Sequence, residues 1–227
     1  MRRNPKSNQS LIRSTEERLK NDRILVNNPV FIEGLALTPV IGAATTLRNA
    51  TILSIMIPIL LIPTRFIGNI LIGTIPQKLR IMVYSVVAAL IYIPGLSVIT
   101  NLFGMSVAAM GIYLPILVVD SIITSPAEIP QREKGWSCLL SGILSSVGFA
   151  MSVFLVGALR ELLGHGSLWG SPIISPAPFP IFTTAVGGLI IAAAFCAVFQ
   201  FLVSLIKRAR YRYAKDTQFT EDSDETI

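Results

Sequence analysis

Six stretches of this chain are long and apolar enough to cross a bilayer, and that limits its fold more than any other feature. A transmembrane helix needs about 20 mostly apolar residues. The stretches run about Pro29–Leu47, Ala50–Gly73, Ile81–Thr100, Gly104–Thr124, Gly135–Leu159 and Ile181–Ile206. At membrane depth the backbone must satisfy its own hydrogen bonds, so such stretches form helices. Composition agrees: 52% of the 227 residues are hydrophobic and 14% are charged. A soluble domain carries about 25% charged residues. A disordered chain needs the opposite balance, low hydrophobicity with high charge.

The net charge of +6 looks at first like a sign of a nucleic-acid partner. The positions of the basic residues give it another meaning. All 19 except Arg48, Arg65 and Arg160 fall before the first span, between spans two and three, between spans four and five, or after the sixth. Those are the loops on one side of the membrane. The positive-inside rule puts that side, and both termini, in the cytoplasm. The basic residues thus set orientation in a bacterial inner membrane, and no nucleic-acid partner is implied. Residues 1–23 read as a basic cytoplasmic arm with a short amphipathic helix over Ser14–Arg23, and not as a signal peptide. Residues 24–206 form the membrane domain. Residues 207–227 read as a disordered cytoplasmic tail ending in Glu221, Asp222, Asp224 and Glu225.

Two spans carry a proline near the middle, Pro39 in the first and Pro115 in the fourth. These positions correspond if the six spans divide three plus three. An odd number per half requires the second half to be inverted. The expected fold is therefore all-α: six transmembrane helices in a 3+3 inverted repeat, with helices one and four broken. Paired interruptions of this kind point to a midplane site in transporters. Simple proline kinks account for the same pattern, and Pro58 and Pro63 in the second span show that proline alone discriminates poorly.

Charged residues at membrane depth are costly and mark functional positions or buried pairs. Glu33 lies in the first span, Arg65 late in the second and Asp120 in the fourth. Either acid suits a cation or proton, and either suits a structural pair with Arg65. His165 reads as an outer-loop residue, and Trp136 and Trp169 as interfacial anchors. Gly187-Gly188 and the Gly142/Gly148 pair suit close helix packing. Cys138 and Cys196 read as small packing residues. No phosphate-binding glycine loop, nucleophile elbow or zinc-binding helix motif occurs, so the chain shows no catalytic centre of its own.

Several stretches together carry a resemblance. They are Asn28-Pro29-Val30 leading to Leu37-Thr38-Pro39, Ile75 to Ile81, Gly111-Ile112-Tyr113-Leu114-Pro115 to Val119, Ala127-Glu128, and Gly157-Ala158-Leu159-Arg160-Glu161-Leu162-Leu163-Gly164 followed by Gly166 to Gly170. The chain resembles the family of the E subunit of Rnf-type electron transport complexes and the D subunit of the sodium-pumping NADH:quinone reductase. The resemblance runs from about residue 24 to 206. It implies two broken helices, a homologous membrane subunit of inverted topology as partner, and further Rnf/Nqr-like subunits. It also implies a [2Fe–2S] cluster shared by the two membrane subunits, with one cysteine from each broken helix.

The chain departs from the family at both cysteine positions. Thr38 stands between leucine and proline in the first, and Ser121 follows Asp120 in the fourth. Hydroxyls are poor replacements for the thiolates that hold iron–sulfur clusters. The sequence therefore predicts a membrane subunit of an ion-translocating electron transport complex that binds no cofactor by itself. Asp120, Glu33, Ser121 and Thr38 are the candidates for a sodium or proton pathway. A paralogous transporter, or a structural subunit no longer engaged in electron transfer, is the alternative.

Overall fold

A computed structural model describes residues 28–128, 135–174 and 178–224. The basic arm, its Ser14–Arg23 helix, Arg132 and Lys134 lie outside the described residues. The chain is mostly helical. Among the described residues four helices are long and apolar enough to cross a membrane: Leu47–Leu71, Gln77–Ser106, Gly135–His165 and Ala185–Ile206.

The first and fourth apolar stretches form no membrane-long helix; each is interrupted. The first is a turn followed by the six-residue helix α1, Leu37–Gly42. Gly34 (φ 72°) and Ala36 (φ 56°) adopt left-handed backbone just before α1 and prevent a helix from running through. The fourth stretch is broken at Gly104 and Gly111, both with positive φ, and again at Asp120, which is extended. Between these breaks lie short helical turns, including α4 (Tyr113–Ile116) and α5 (Ser121–Thr124). Pro39 and Pro115 do not themselves sit at the breaks. Each is the third residue of its short helix, in the first turn, where a missing N–H costs no intrahelical bond.

The long helices are α2 (Leu47–Leu71), α3 (Arg80–Phe103), α6 (Gly135–His165) and α7 (Ala185–Asp224). Thr46 caps α2 by accepting from the Asn49 N–H at 3.3 Å. Helix α6 extends beyond Leu159 to His165, so His165 is an exposed helix end and not a loop residue. Helix α7 continues to Asp224, where the sequence suggests a disordered tail. Residues 207–224 contain no glycine or proline, so nothing local stops the helix.

The core forms where α2 packs on α6. Helix α2 presents Ala50, Leu53, Met56, Ile57, Leu60, Leu61 and Thr64, all buried and spaced at helical intervals. Helix α6 answers with small residues. A Cβ on Gly157 would lie 3.1 Å from that of Ala50, and one on Gly142 would lie 3.7 Å from Arg65 Cδ. A face of small residues lets membrane helices approach closely. In contrast, α3 and the apolar part of α7 bury little within the chain, and Leu90 and Ile93 are 66% and 69% exposed. Phe31 in the first stretch stacks on Phe195 and packs at a tilt against Phe199 of α7, with ring centroids 5.5 and 4.6 Å away.

One glycine of the α2–α3 contact meets an aromatic ring. A Cβ on Gly68 would fall within the ring of Tyr84, which is 2% exposed. Gly68→Ala is therefore expected to destabilise the fold by about 1–3 kcal/mol, the usual cost of overpacking. A lower midpoint of thermal unfolding in detergent would show this, and an unchanged midpoint would contradict the contact.

Candidate functional site

The two interrupted stretches meet side by side. The Ala36 N–H donates to Ser121 Oγ at 3.0 Å. At the other end of α1, Gly42 lies against the ring of Tyr113, so close that a Cβ there would enter the ring. Position 36 thus sits by 121 and position 42 by 113, so the two stretches run past each other in opposite directions.

Ser121 Oγ also donates to Asp120 Oδ1 at 3.3 Å. Asp120 caps α5, its Oδ1 accepting from the Ile122 N–H at 3.2 Å. Its extended backbone fits the capping position, where aspartate is among the favoured residues. The carboxylate is therefore fixed by its own short helix, while Ser121 joins it to the start of α1. Ser121 and Thr38 are exposed on the chain surface and Asp120 is half-buried. Glu33 is exposed in the turn before Gly34. Among the described residues no hydrogen bond joins Glu33 to Asp120 or Ser121. The structure thus brings Ser121 and Asp120 to the N-terminal end of α1, with Thr38 on that helix, and leaves Glu33 outside the bonded group.

This donor set is oxygen: a carboxylate and hydroxyls. Cys138 lies on α6, with its thiol 3.6 Å from the carbonyl oxygen of Arg65, and Cys196 is half-buried on α7. Neither is on an interrupted stretch. Iron–sulfur clusters are held by thiolates, so the residues at these two positions do not fit a [2Fe–2S] group.

By sequence, Arg160 falls just past the fifth span, on the side opposite the cytoplasm, and neither it nor Glu161 is given a role beyond the resemblance. In the structure both are inside α6, at 0% and 2% exposure. Arg160 donates to the carbonyls of Ile41, Ala44, Phe182, Thr183 and Thr184. Glu161 accepts from the Leu47 N–H at 2.7 Å, from the Gly170 N–H at 2.8 Å and from the Ser167 hydroxyl at 3.3 Å. Ser167–Leu168 and Ser171–Pro172 form a small antiparallel hairpin whose turn, Trp169-Gly170, has positive φ at both residues. That is the backbone of a two-residue hairpin turn. The available signal was the Arg-Glu pair within an otherwise apolar run ahead of Gly164 and Gly166.

Comparison with known proteins gives a consistent picture. The model of a family described as "Rnf-Nqr subunit, membrane protein" matches residues 18–205. The E subunit of the ion-translocating oxidoreductase complex of Shewanella oneidensis is 33% identical over 145 residues, 63% of this chain and 62% of that protein. The E subunits of the same complex from Shewanella sp. strain ANA-3 and Shewanella baltica strain OS185 are each 30% identical over 145 residues, with the same coverage. The alignments thus take in less than two thirds of these relatives' length.

Proposed function

Because this chain belongs to the Rnf-Nqr family of membrane subunits, we propose that it is an integral membrane subunit of an ion-translocating electron transport complex. The observation that carries this reading is the family match across residues 18–205, which takes in both interrupted stretches and the apolar part of every long helix. In this reading the chain sits in the bacterial inner membrane with both termini in the cytoplasm. Its partners are a homologous membrane subunit of inverted topology and further subunits of the complex.

We further infer that the membrane domain, residues 24–206, is a six-span inverted repeat with residues 1–23 as its cytoplasmic arm. The element order supports this: an interrupted stretch then two long helices, followed by a second interrupted stretch and two more. The opposite directions of the two stretches at Ala36/Ser121 and Gly42/Tyr113 support it as well.

In the proposed mechanism this chain handles the cation and leaves electron transfer to other subunits. Asp120 supplies the charge that compensates a sodium ion or proton leaving water. Ser121 holds Asp120 Oδ1 and the start of α1 in register. Thr38 offers a further oxygen, and Glu33 is the remaining acid of the proposed ion pathway. Broken-helix ends together with acidic oxygens suit hard cations. This chain ligates no cluster and carries no catalytic centre of its own.

The oxygens at both cysteine positions favour one second reading, a paralogous transporter or scaffold that has left electron transfer. Purification of the tagged full-length chain from its native membrane in mild detergent separates the two. Co-elution of a second family member with redox subunits is the expected result. A chain that elutes alone and moves a solute in liposomes would establish the second reading instead.

A further inference from the structure

Helix α1 is six residues long, too short to hold itself in place. Contacts at its two ends add to the burial of Pro39 and Val40 in fixing its position. At the N-terminal end the constraint is the Ala36 N–H on Ser121 Oγ at 3.0 Å. At the C-terminal end, Ile41 O accepts from Arg160 Nη1 at 2.6 Å and Ala44 O from the same nitrogen at 3.3 Å. The last carbonyls of a helix lack intrahelical partners and form its negative end, so a buried cation there is favourable.

The rest of the guanidinium is used in the same way. Nε donates to Phe182 O at 3.1 Å, and Nη2 to Thr183 O at 3.3 Å and Thr184 O at 3.0 Å. Guanidinium has five N–H donors in a rigid fork. Each has its own backbone carbonyl here. Phe182, Thr183 and Thr184 lead directly into α7. Gly188 of α7 makes the approach feasible, because a Cβ there would lie 2.8 Å from both Arg160 Cζ and Ile41 O. The next residue of α6, Glu161, fixes the Leu47 N–H at the start of α2. Consecutive residues of one helix thus pin both ends of the link between α1 and α2.

We propose that Arg160 is a positioning residue: its five-carbonyl clamp sets where α1 lies and so holds Thr38 and the Ala36–Ser121 contact in register with Asp120. The functional weight of that register rests on the reading of Asp120, Ser121 and Thr38 as the cation site. The clamp itself does not. Lysine cannot replace Arg160, because an ammonium offers three donors from one point and cannot span five carbonyls on two separate segments.

The test reads geometry and activity separately. Full-length chain in its native membrane, with Cys138 and Cys196 changed to serine, receives Ala36→Cys and Ser121→Cys and is treated with a short bifunctional thiol reagent. Arg160→Gln and Arg160→Lys should lower the cross-linking rate about tenfold, the factor expected from loss of one charge-strengthened hydrogen bond. Added guanidinium should restore the rate in Arg160→Gly, a rescue that general misfolding would not show. An unchanged rate in Arg160→Gln overturns the proposal. If the Arg160 variants fail to accumulate, Gly188→Ala is read in their place: a slower rate supports the clamp and an unchanged rate overturns it. Cation-coupled activity is measured in Arg160 variants that retain Ser121. If cross-linking falls while coupling is unaffected, the clamp stands and the cation-site reading fails.

Discussion

Asp120→Asn is expected to abolish cation-coupled activity of the assembled complex while leaving its assembly intact. The two effects separate because asparagine keeps what holds the residue in place. Its side-chain oxygen can still accept from the Ile122 N–H and the Ser121 hydroxyl, as Asp120 Oδ1 does at 3.2 and 3.3 Å. Asparagine also caps a helix as well as aspartate does. Only the negative charge is lost. Opposite unit charges about 4 Å apart attract by about 4 kcal/mol near a protein surface. Losing even half of that weakens cation affinity more than about tenfold, since roughly 1.4 kcal/mol is a factor of ten. Ser121→Ala should behave differently, because it removes the acceptor of the Ala36 N–H and so loosens α1. The measurement is uptake of the coupling ion into membrane vesicles, compared with the amount of assembled complex. Full activity in Asp120→Asn would remove this residue from the pathway.

The second large effect is on stability. Asn28 is fully buried and joins the first stretch to the middle of α6. Its Nδ2 donates to Gly148 O at 3.0 Å. Its Oδ1 accepts from the Val30 and Phe31 N–H groups at 2.9 and 3.0 Å and from the Ser152 hydroxyl at 2.9 Å. Alanine would remove all of these and strand two backbone donors where no water can reach them. At about 1–3 kcal/mol for each stranded buried group, Asn28→Ala should cost about 2–6 kcal/mol. A sharp fall in the detergent unfolding midpoint and in membrane abundance is expected. A wild-type midpoint would mean that the turn at Asn28 is not needed to seat the first stretch.

Much of the architecture is legible from residue patterns. The long helices follow directly from apolar runs, and the small residues of α6 announce close packing without naming α2 as the partner. The interruptions are legible as well, but not their form. Proline draws attention to Pro39 and Pro115, whereas the chain breaks at Gly34, Ala36, Gly104, Gly111 and Asp120. Proline is accepted in a helix's first turn, while left-handed backbone is not accepted within a helix. The end of α6 is misplaced by sequence because a charged Arg-Glu pair resembles a span boundary. Hydropathy cannot show that backbone carbonyls from two distant segments converge on that arginine. The extension of α7 is hidden for a related reason: charge marks where the apolar run ends, and says nothing about where the helix does.

The candidate site is only partly legible. Asp120 and Ser121 stand out as polar residues in an apolar stretch, and the structure joins them to the start of α1. Glu33 stands out equally, yet forms no bond with them, because the turn at Asn28 leaves it exposed. Sequence spacing cannot distinguish those outcomes, since the direction of a side chain in a turn depends on backbone angles set by distant contacts such as that of Asn28 with Gly148.

The central claim is that this chain serves an ion-translocating complex through oxygen ligands and not through thiolates. Iron content and the visible absorption spectrum of the co-purified complex test it most directly. The comparison is between the wild-type chain and one carrying Cys138→Ser and Cys196→Ser. Equal iron per complex and superimposable spectra are predicted, because neither cysteine lies on an interrupted stretch. Loss of stoichiometric iron and of its absorption in the double variant would show that this chain ligates a cluster, and would contradict the account.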